Sequence, residues 1–189
     1  MVGRDNKHER LLERAKELNA LQFGDFTLTS GTKSNYYFDG RALSLDPEGL
    51  SLISSLFMER IEKACCDGIG GPAIAAVPVV GALVLKAYET GKSMTGYYVR
   101  EKAKAHGLGR QIEGSIKSGM KLAVFDDTLS TGLSLINAIE AVEDFGCTVE
   151  LVLCVLDRKQ GGTEKILQRG KKIYSILEAT PDGQITLSA

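Results

Sequence analysis

Leu122-Ala123-Val124-Phe125-Asp126-Asp127-Thr128-Leu129-Ser130-Thr131-Gly132-Leu133-Ser134 passes from an apolar run through two carboxylates into a loop of small, hydroxylated residues. Leu122 to Phe125 follow a turn signal at Ser118-Gly119 and carry no polar break, as a parallel strand covered on both faces requires. Beyond Gly132, the apolar residues Leu135, Ile136, Ile139 and Val142 recur at helical spacing, which predicts a helix with one apolar stripe, ended by Gly146. Asp126 and Asp127 therefore stand at the carboxyl edge of the strand, where ligands bind in open α/β sheets. Thr128, Ser130, Thr131 and Gly132 add hydroxyls and backbone N–H groups at a helix N-terminus, which suits an anion. Acids for hydroxyl groups beside N–H groups for a phosphate describe a place for a sugar phosphate such as ribose 5-phosphate. An Asp-Asp pair alone also serves as a helix cap. The ordered run of strand, acids, hydroxyl loop and helix favours the ligand site.

The chain has 189 residues, enough for one well-buried domain, and its composition does not divide it. A formal net charge of −1 argues against a non-specific grip on nucleic acid or an acidic membrane surface. Cys65 and Cys66 are adjacent, and Cys147 and Cys154 belong to an apolar stretch; neither spacing is that of a metal site or disulfide framework. All four read as buried thiols of a reducing cytoplasm. No apolar run approaches the roughly 20 residues of a membrane-spanning helix, and the charged N-terminus is unlike a signal peptide.

Upstream of the central stretch, Leu11, Leu12, Ala15, Leu18 and Leu21 predict an amphipathic helix over Asn6 to Leu21. Phe26 to Asp39 reads as a strand, a Ser30-Gly31 turn and an aromatic strand, together a hairpin. Asp46-Pro47-Glu48 is a helix start. Gly68 to Pro78 reads as a loop punctuated by glycine and proline, followed by a helix over Val79 to Glu89. Ser93 to Val99 is a strand that runs into the charged stretch Arg100 to Arg110. Downstream, Val149 to Leu156 is a strand ending in Asp157-Arg158, then come a short helix within Gly161 to Gly170 and a last strand over Lys172 to Leu177.

The central stretch resembles the phosphoribosyl pyrophosphate (PRPP) signature of the type I phosphoribosyltransferases, with Thr128 where an aliphatic residue is commoner. Three further stretches resemble the orotate phosphoribosyltransferase branch of that family. Leu28-Thr29-Ser30-Gly31, then Lys33-Ser34, Tyr36-Tyr37-Phe38-Asp39 and Arg41, is similar to its N-terminal hood. Arg100, Lys102 and Lys104-Ala105-His106-Gly107 are similar to its catalytic lid, with Glu101 in the place of a usual lysine. Arg158 falls where the family has the arginine that holds the orotate carboxylate, a job that suits a guanidinium fork. In the loop that contacts pyrophosphate in the family, Ala75 stands where many members carry lysine.

The resemblance implies a doubly wound, mainly parallel α/β sheet with an N-terminal helix and β-hairpin hood, 1–189 forming a single domain and 1–45 its hood. It implies transfer of the 5-phosphoribosyl group from PRPP to orotate, giving orotidine 5'-phosphate and pyrophosphate, in de novo pyrimidine synthesis. No length remains for a decarboxylase barrel. Catalysis falls to Lys104, His106, Asp126 and Asp127. PRPP falls to these four with Arg100, Lys102, Thr128, Leu129, Ser130, Thr131, Gly132, Leu133 and Ser134. Orotate falls to Ser30, Gly31, Tyr36, Tyr37, Ser130 and Arg158. Mg²⁺ is expected to arrive mainly on PRPP, with no cage of protein side chains, and the active unit is expected to be a homodimer whose lid works in trans. A purine phosphoribosyltransferase would share the PRPP signature without needing the hood or Arg158. A regulator that senses PRPP without catalysis would not need Lys104 and His106.

Overall fold

The computed structural model describes residues 4–27, 33–101 and 111–188. From α1 (Arg4–Glu17) the chain enters the antiparallel hairpin of β1 (Leu21–Thr27) and β2 (Lys33–Phe38), then α2 (Gly40–Ser44) and α3 (Pro47–Lys63). Strands and helices then alternate: β3 (Gly68–Gly70), α4 (Val77–Glu89), β4 (Thr95–Val99), β5 (Ile112–Gly114), β6 (Lys121–Leu129), α5 (Leu133–Asp144), β7 (Thr148–Asp157), α6 (Gly162–Gln168), β8 (Lys172–Ala179) and β9 (Ile185–Leu187). The main sheet has the order β5-β4-β3-β6-β7-β8-β9, parallel within and antiparallel at the two edge strands. Its chain order turns back between β3 and β6. That is a topological switch point, the place where such sheets bind ligands.

Two apolar layers cover the sheet. Ala123, Phe125, Leu153 and Val155 face α1, α3 and α4, whereas Leu122, Val124, Val152 and Cys154 face α5. Phe125 packs its ring 5.3 Å from that of Phe57 on α3. Burying a side chain of this size contributes roughly 2–3 kcal/mol, so β6 is anchored at the residue just before its acids. Asp46 caps α3 by accepting from the Gly49 N–H (2.8 Å), and Arg14 of α1 binds the same carboxylate (2.7 Å). Together they hold the Asp46 carboxyl at about 2, well below the usual carboxylate range.

The sheet agrees with the sequence expectation in class and corrects it in detail. Gly68–Gly70 is a central strand, not part of a loop. A Cβ on Gly70 would lie 2.4 Å from the Tyr97 ring, and one on Gly71 would lie 1.9 Å from the Phe125 carbonyl oxygen. Glycine is present there because neighbouring strands leave no room for a side chain, and a composition rule reads it as a turn. β6 continues through Asp126, Asp127 and Thr128 to Leu129, since β7 pairs with it as far as Asp157. α1 stops at Glu17, four residues short of the expected Leu21, because Asn19 takes a left-handed conformation (φ 53°) and Leu21 opens β1. The short elements α2, β5 and β9 are too brief to leave a periodic signal in the sequence. Cys147 and Cys154 are buried as expected, but Cys65 is exposed in the turn after α3.

Candidate active site

The carboxyl ends of β3, β4, β6 and β7 meet at the switch point, and register fixes how. Gly70 pairs with Val124, Asp126 with Cys154 and Leu129 with Asp157, while Pro72 bridges Val99. Because β6 stays extended, its alternation sends the two acids to opposite faces. Asp126 turns toward α5, where its Oδ2 accepts from Ser134 Oγ (2.7 Å) and its Oδ1 from the Asp127 N–H (3.0 Å). Asp127 turns toward α2. A Cβ on Gly40 would lie 2.6 Å from Asp127 Cβ and 2.7 Å from its Oδ2, so glycine lets α2 approach that carboxylate. The neighbouring Arg41 is tied to Asp39 (Nε to Oδ1, 3.2 Å).

Burial governs both acids. Asp126 is only 7% exposed; desolvation first, then the Asp127 charge, push its carboxyl up to about 7 against the pull of Ser134 and the Asp127 N–H. Asp127 is also raised by burial, opposed by hydrogen bonding from Thr128 and by the charge of Arg41. Between an unfolded pKa of about 4 and a folded one of about 7, the native state holds a proton that the unfolded chain has lost. Stability therefore falls as pH rises through that window, by roughly 4 kcal/mol at most. Asp126→Asn should melt progressively higher than the parent protein as pH is raised from about 4 to about 8. A melting difference that is constant across that range would show that Asp126 ionises as freely in the folded state as in the unfolded one.

Beyond the acids, the loop into α5 is fixed by its carbonyl groups. Leu129 O accepts from the Arg158 N–H (2.8 Å), Ser130 O from the Gly162 N–H (3.0 Å) and Thr131 O from Lys165 Nζ (3.1 Å). Gly132 then caps α5 in the left-handed region (φ 82°) without a side-chain capping bond. The first N–H groups of a helix have no intrahelical acceptor, so this end offers donors and the positive pole of the helix to an anion. Beside it runs a cleft of about 260 Å³ lined by Pro72, Ala73, Val99, Arg100, Ser134 and Asn137. Arg100 stands at its rim, with Nε on Glu113 of β5 (3.2 Å).

On the other side of the acids, Arg158 leaves the end of β7 beneath the hairpin. Its Nη2 reaches Phe38 O at 3.5 Å and its guanidinium lies 5.6 Å from the Tyr36 ring centre. Its Nε is buried and has no hydrogen-bond partner among the described residues. Asp157, its neighbour in the chain, accepts from the Lys159 N–H (2.7 Å) and Thr163 Oγ1 (2.6 Å). β2 alternates as well: Tyr36 is buried on the Arg158 side, whereas Tyr37 is part-exposed on the other and packs against Phe26.

No family model matches the chain. Individual proteins do. The orotate phosphoribosyltransferase of Rhodopirellula baltica is 36% identical over 166 residues, 85% of this chain and 86% of that protein. The chain belongs to the orotate phosphoribosyltransferase family. Among solved structures, the Mycobacterium tuberculosis H37Rv orotate phosphoribosyltransferase in complex with Fe(III) dicitrate superposes with a TM-score of 0.79 at 34% identity, covering 91% of this chain and 96% of that one. The same enzyme in complex with PRPP gives a TM-score of 0.75 at 30% identity over the same shares.

Within this orotate phosphoribosyltransferase fold, the expected PRPP residues from Asp126 to Ser134 stand together at the switch point, and Arg100 stands across the cleft. The Leu129 side chain is buried in the core, while Leu133 is exposed beside the cleft. Ser30, Gly31, Lys102, Lys104 and His106 lie outside the described residues. Sequence reasoning missed Asn137, Gly162 and the pairing of Ser134 with Asp126. Gly162 passes so close to the loop that a Cβ there would lie 2.6 Å from Ser130 O; the Gly161-Gly162 doublet was its one visible signal.

Proposed function

We propose that this chain transfers the 5-phosphoribosyl group of PRPP to orotate, releasing pyrophosphate and forming orotidine 5'-phosphate for pyrimidine synthesis. The observation that carries the choice of acceptor is Arg158, a guanidinium with a buried, unpartnered Nε beneath the hairpin while Asp157 is engaged elsewhere. A buried N–H without an acceptor costs free energy, and a planar carboxylate fits the fork of this part-buried guanidinium. Tyr36 beside it offers a flat face to the pyrimidine. Purine bases carry no carboxylate and leave this arginine unexplained.

In the proposed mechanism, PRPP lies along the edge of β6, with its 5-phosphate at the N-terminus of α5 and its ribose hydroxyls on Asp126 and Asp127. Breaking the bond at C1 builds positive charge on the sugar. That charge favours the carboxylate form of Asp126, whose carboxyl rests near neutrality without ligand. Lys104, His106, Lys102 and Arg100 are assigned to the departing pyrophosphate, and Ser30, Gly31 and Ser130 to the rim around the base, whereas Tyr37, expected there from the sequence, lies on the opposite face of β2 from Tyr36 and takes no part in it. Mg²⁺ is expected to arrive on the pyrophosphate oxygens of PRPP, where it would offset their charge.

We further propose a single domain over 1–189 and a homodimer in the cytoplasm. The dimer is supported by an apolar stripe on and before α4: Ile74 (81% exposed), Val77, Leu85 and Tyr88 (80%) face outward, with open space at Gly81. Ile74 follows directly on Ala73 of the cleft wall, so a second copy seated on this stripe would lie beside the first copy's cleft. No helix among the described residues is long and apolar enough to cross a membrane.

Pyrophosphate release from PRPP, measured in parallel with orotate, uracil, adenine and hypoxanthine, tests the assignment; turnover with a purine and not with orotate overturns it. Arg158→Ala should raise KM for orotate roughly tenfold to a hundredfold, as expected for a charge-assisted bond of about 1.5–3 kcal/mol. KM for PRPP should change little. Equal loss toward both substrates would instead assign Arg158 a structural role.

A further inference from the structure

The hairpin of β1 and β2 is not hydrogen-bonded into the seven-stranded sheet. Two strands alone are marginally stable in water, so a hairpin that presents Tyr36 to a ligand needs external support. At its root the Asp39 N–H donates to Ala20 O (2.8 Å). Further out, Asn35 Nδ2 donates to Asp182 O (3.1 Å), a bond that spans 147 positions of sequence. Asp182 belongs to the turn joining β8 and β9, which is itself tightly bonded: Thr180 N–H to Gln184 O and Gly183 N–H to Thr180 O, both 2.9 Å, and the Gln184 N–H to Thr180 Oγ1, 3.0 Å.

Gly183 is required in that turn for two separate reasons. Its φ is +81°, which disfavours a side chain, and a Cβ would lie 2.4–2.7 Å from the three terminal atoms of Asn35. We propose that Asn35 and Gly183 are positioning residues for the acceptor base: the β8–β9 turn braces the outer face of β2, and this sets Tyr36 over Arg158 on the inner face. Neither residue touches the base. Since neighbouring residues of a strand point to opposite faces, fixing Asn35 from outside fixes the placement of Tyr36 inside. The proposal rests on the assignment of Arg158 and the hairpin to orotate.

The test compares Asn35→Ala, Gly183→Ala and the double variant with the parent enzyme by steady-state kinetics, thermal melting and hydrogen exchange of the 33–38 amides. Loss of one hydrogen bond should raise KM for orotate roughly threefold to tenfold in Asn35→Ala, with KM for PRPP unchanged and the melting temperature lowered by no more than about 4 °C. Gly183→Ala should do at least as much, and the double variant should be no worse than Gly183→Ala, because removing the amide relieves the collision. An unchanged KM for orotate in Asn35→Ala, or equal rises for both substrates, overturns the proposal. If the parent enzyme does not turn over orotate, the acceptor assignment fails instead, and exchange decides the brace: faster exchange at 33–38 in Asn35→Ala supports it, and unchanged exchange overturns it.

Discussion

Asp126→Asn combined with Asp127→Asn should give a folded protein whose turnover is lower by more than about a thousandfold. Loss of a single preorganised group that stabilises transition-state charge typically costs a hundredfold to a thousandfold, and here both carboxylates that we propose for the ribose are neutralised. Folding should survive, because neither acid is held by an ion pair among the described residues and burial already disfavours their charges. Both of the bonds that Asp126 now accepts can be replaced in the variant, since the asparagine carbonyl oxygen at position 126 can accept from the residue 127 N–H and its amide N–H can donate to the Ser134 hydroxyl, which accepts as well as donates. A double variant with the parental kcat/KM would mean that the acids serve as caps and that the chemistry lies elsewhere.

The second large effect is a gain. Lys104→Ala and the double aspartate variant should each be nearly inactive, and mixing them under conditions of subunit exchange should restore activity toward half of the parental value per heterodimer. The reason is geometric. If each lid covers the partner's site, one site of the mixed dimer collects both defects and the other collects none. If each lid covers its own site, every site keeps a defect and activity stays near zero. Absence of recovery, with exchange confirmed by mass-tagged subunits, would refute lid action in trans and leave the role of Lys104 to be tested alone. The outward-facing stripe of Ile74, Val77, Leu85 and Tyr88 is the surface through which we expect exchange to proceed.

Much of this arrangement can be read from the amino acids, and the misreadings share a cause. Strand β6, helix α5 and the cap at Asp46 follow local rules of apolar periodicity and capping, so they appear where expected. Local rules fail where a distant neighbour decides. Gly68–Gly70 has the composition of a turn, yet it is a strand because β4 and β6 pair with it on either side, with the Tyr97 ring against Gly70. The acids were legible as a pair at a strand end. Their division between two faces was not, because it depends on β7 holding β6 extended four residues beyond its apolar run. The adjacent Tyr36 and Tyr37 looked like one aromatic surface for the same reason, and strand alternation separates them. The Asn35 to Asp182 contact leaves no local trace at all, since its partners lie at opposite ends of the chain.

The glycine strand also limits where this enzyme can vary. The separation between β3 and β6 is set by main-chain atoms in direct contact, as at Gly71 and the Phe125 carbonyl, with no side chain that could be enlarged or trimmed to adjust it. The distance from the loop after β3 to the acids of β6 is thus a fixed gauge of the scaffold. Changes of acceptor preference have to come from parts that hang outside that gauge, the hairpin and the residues around Arg158. An engineer seeking a new base should diversify those surfaces and leave the centre of the sheet alone.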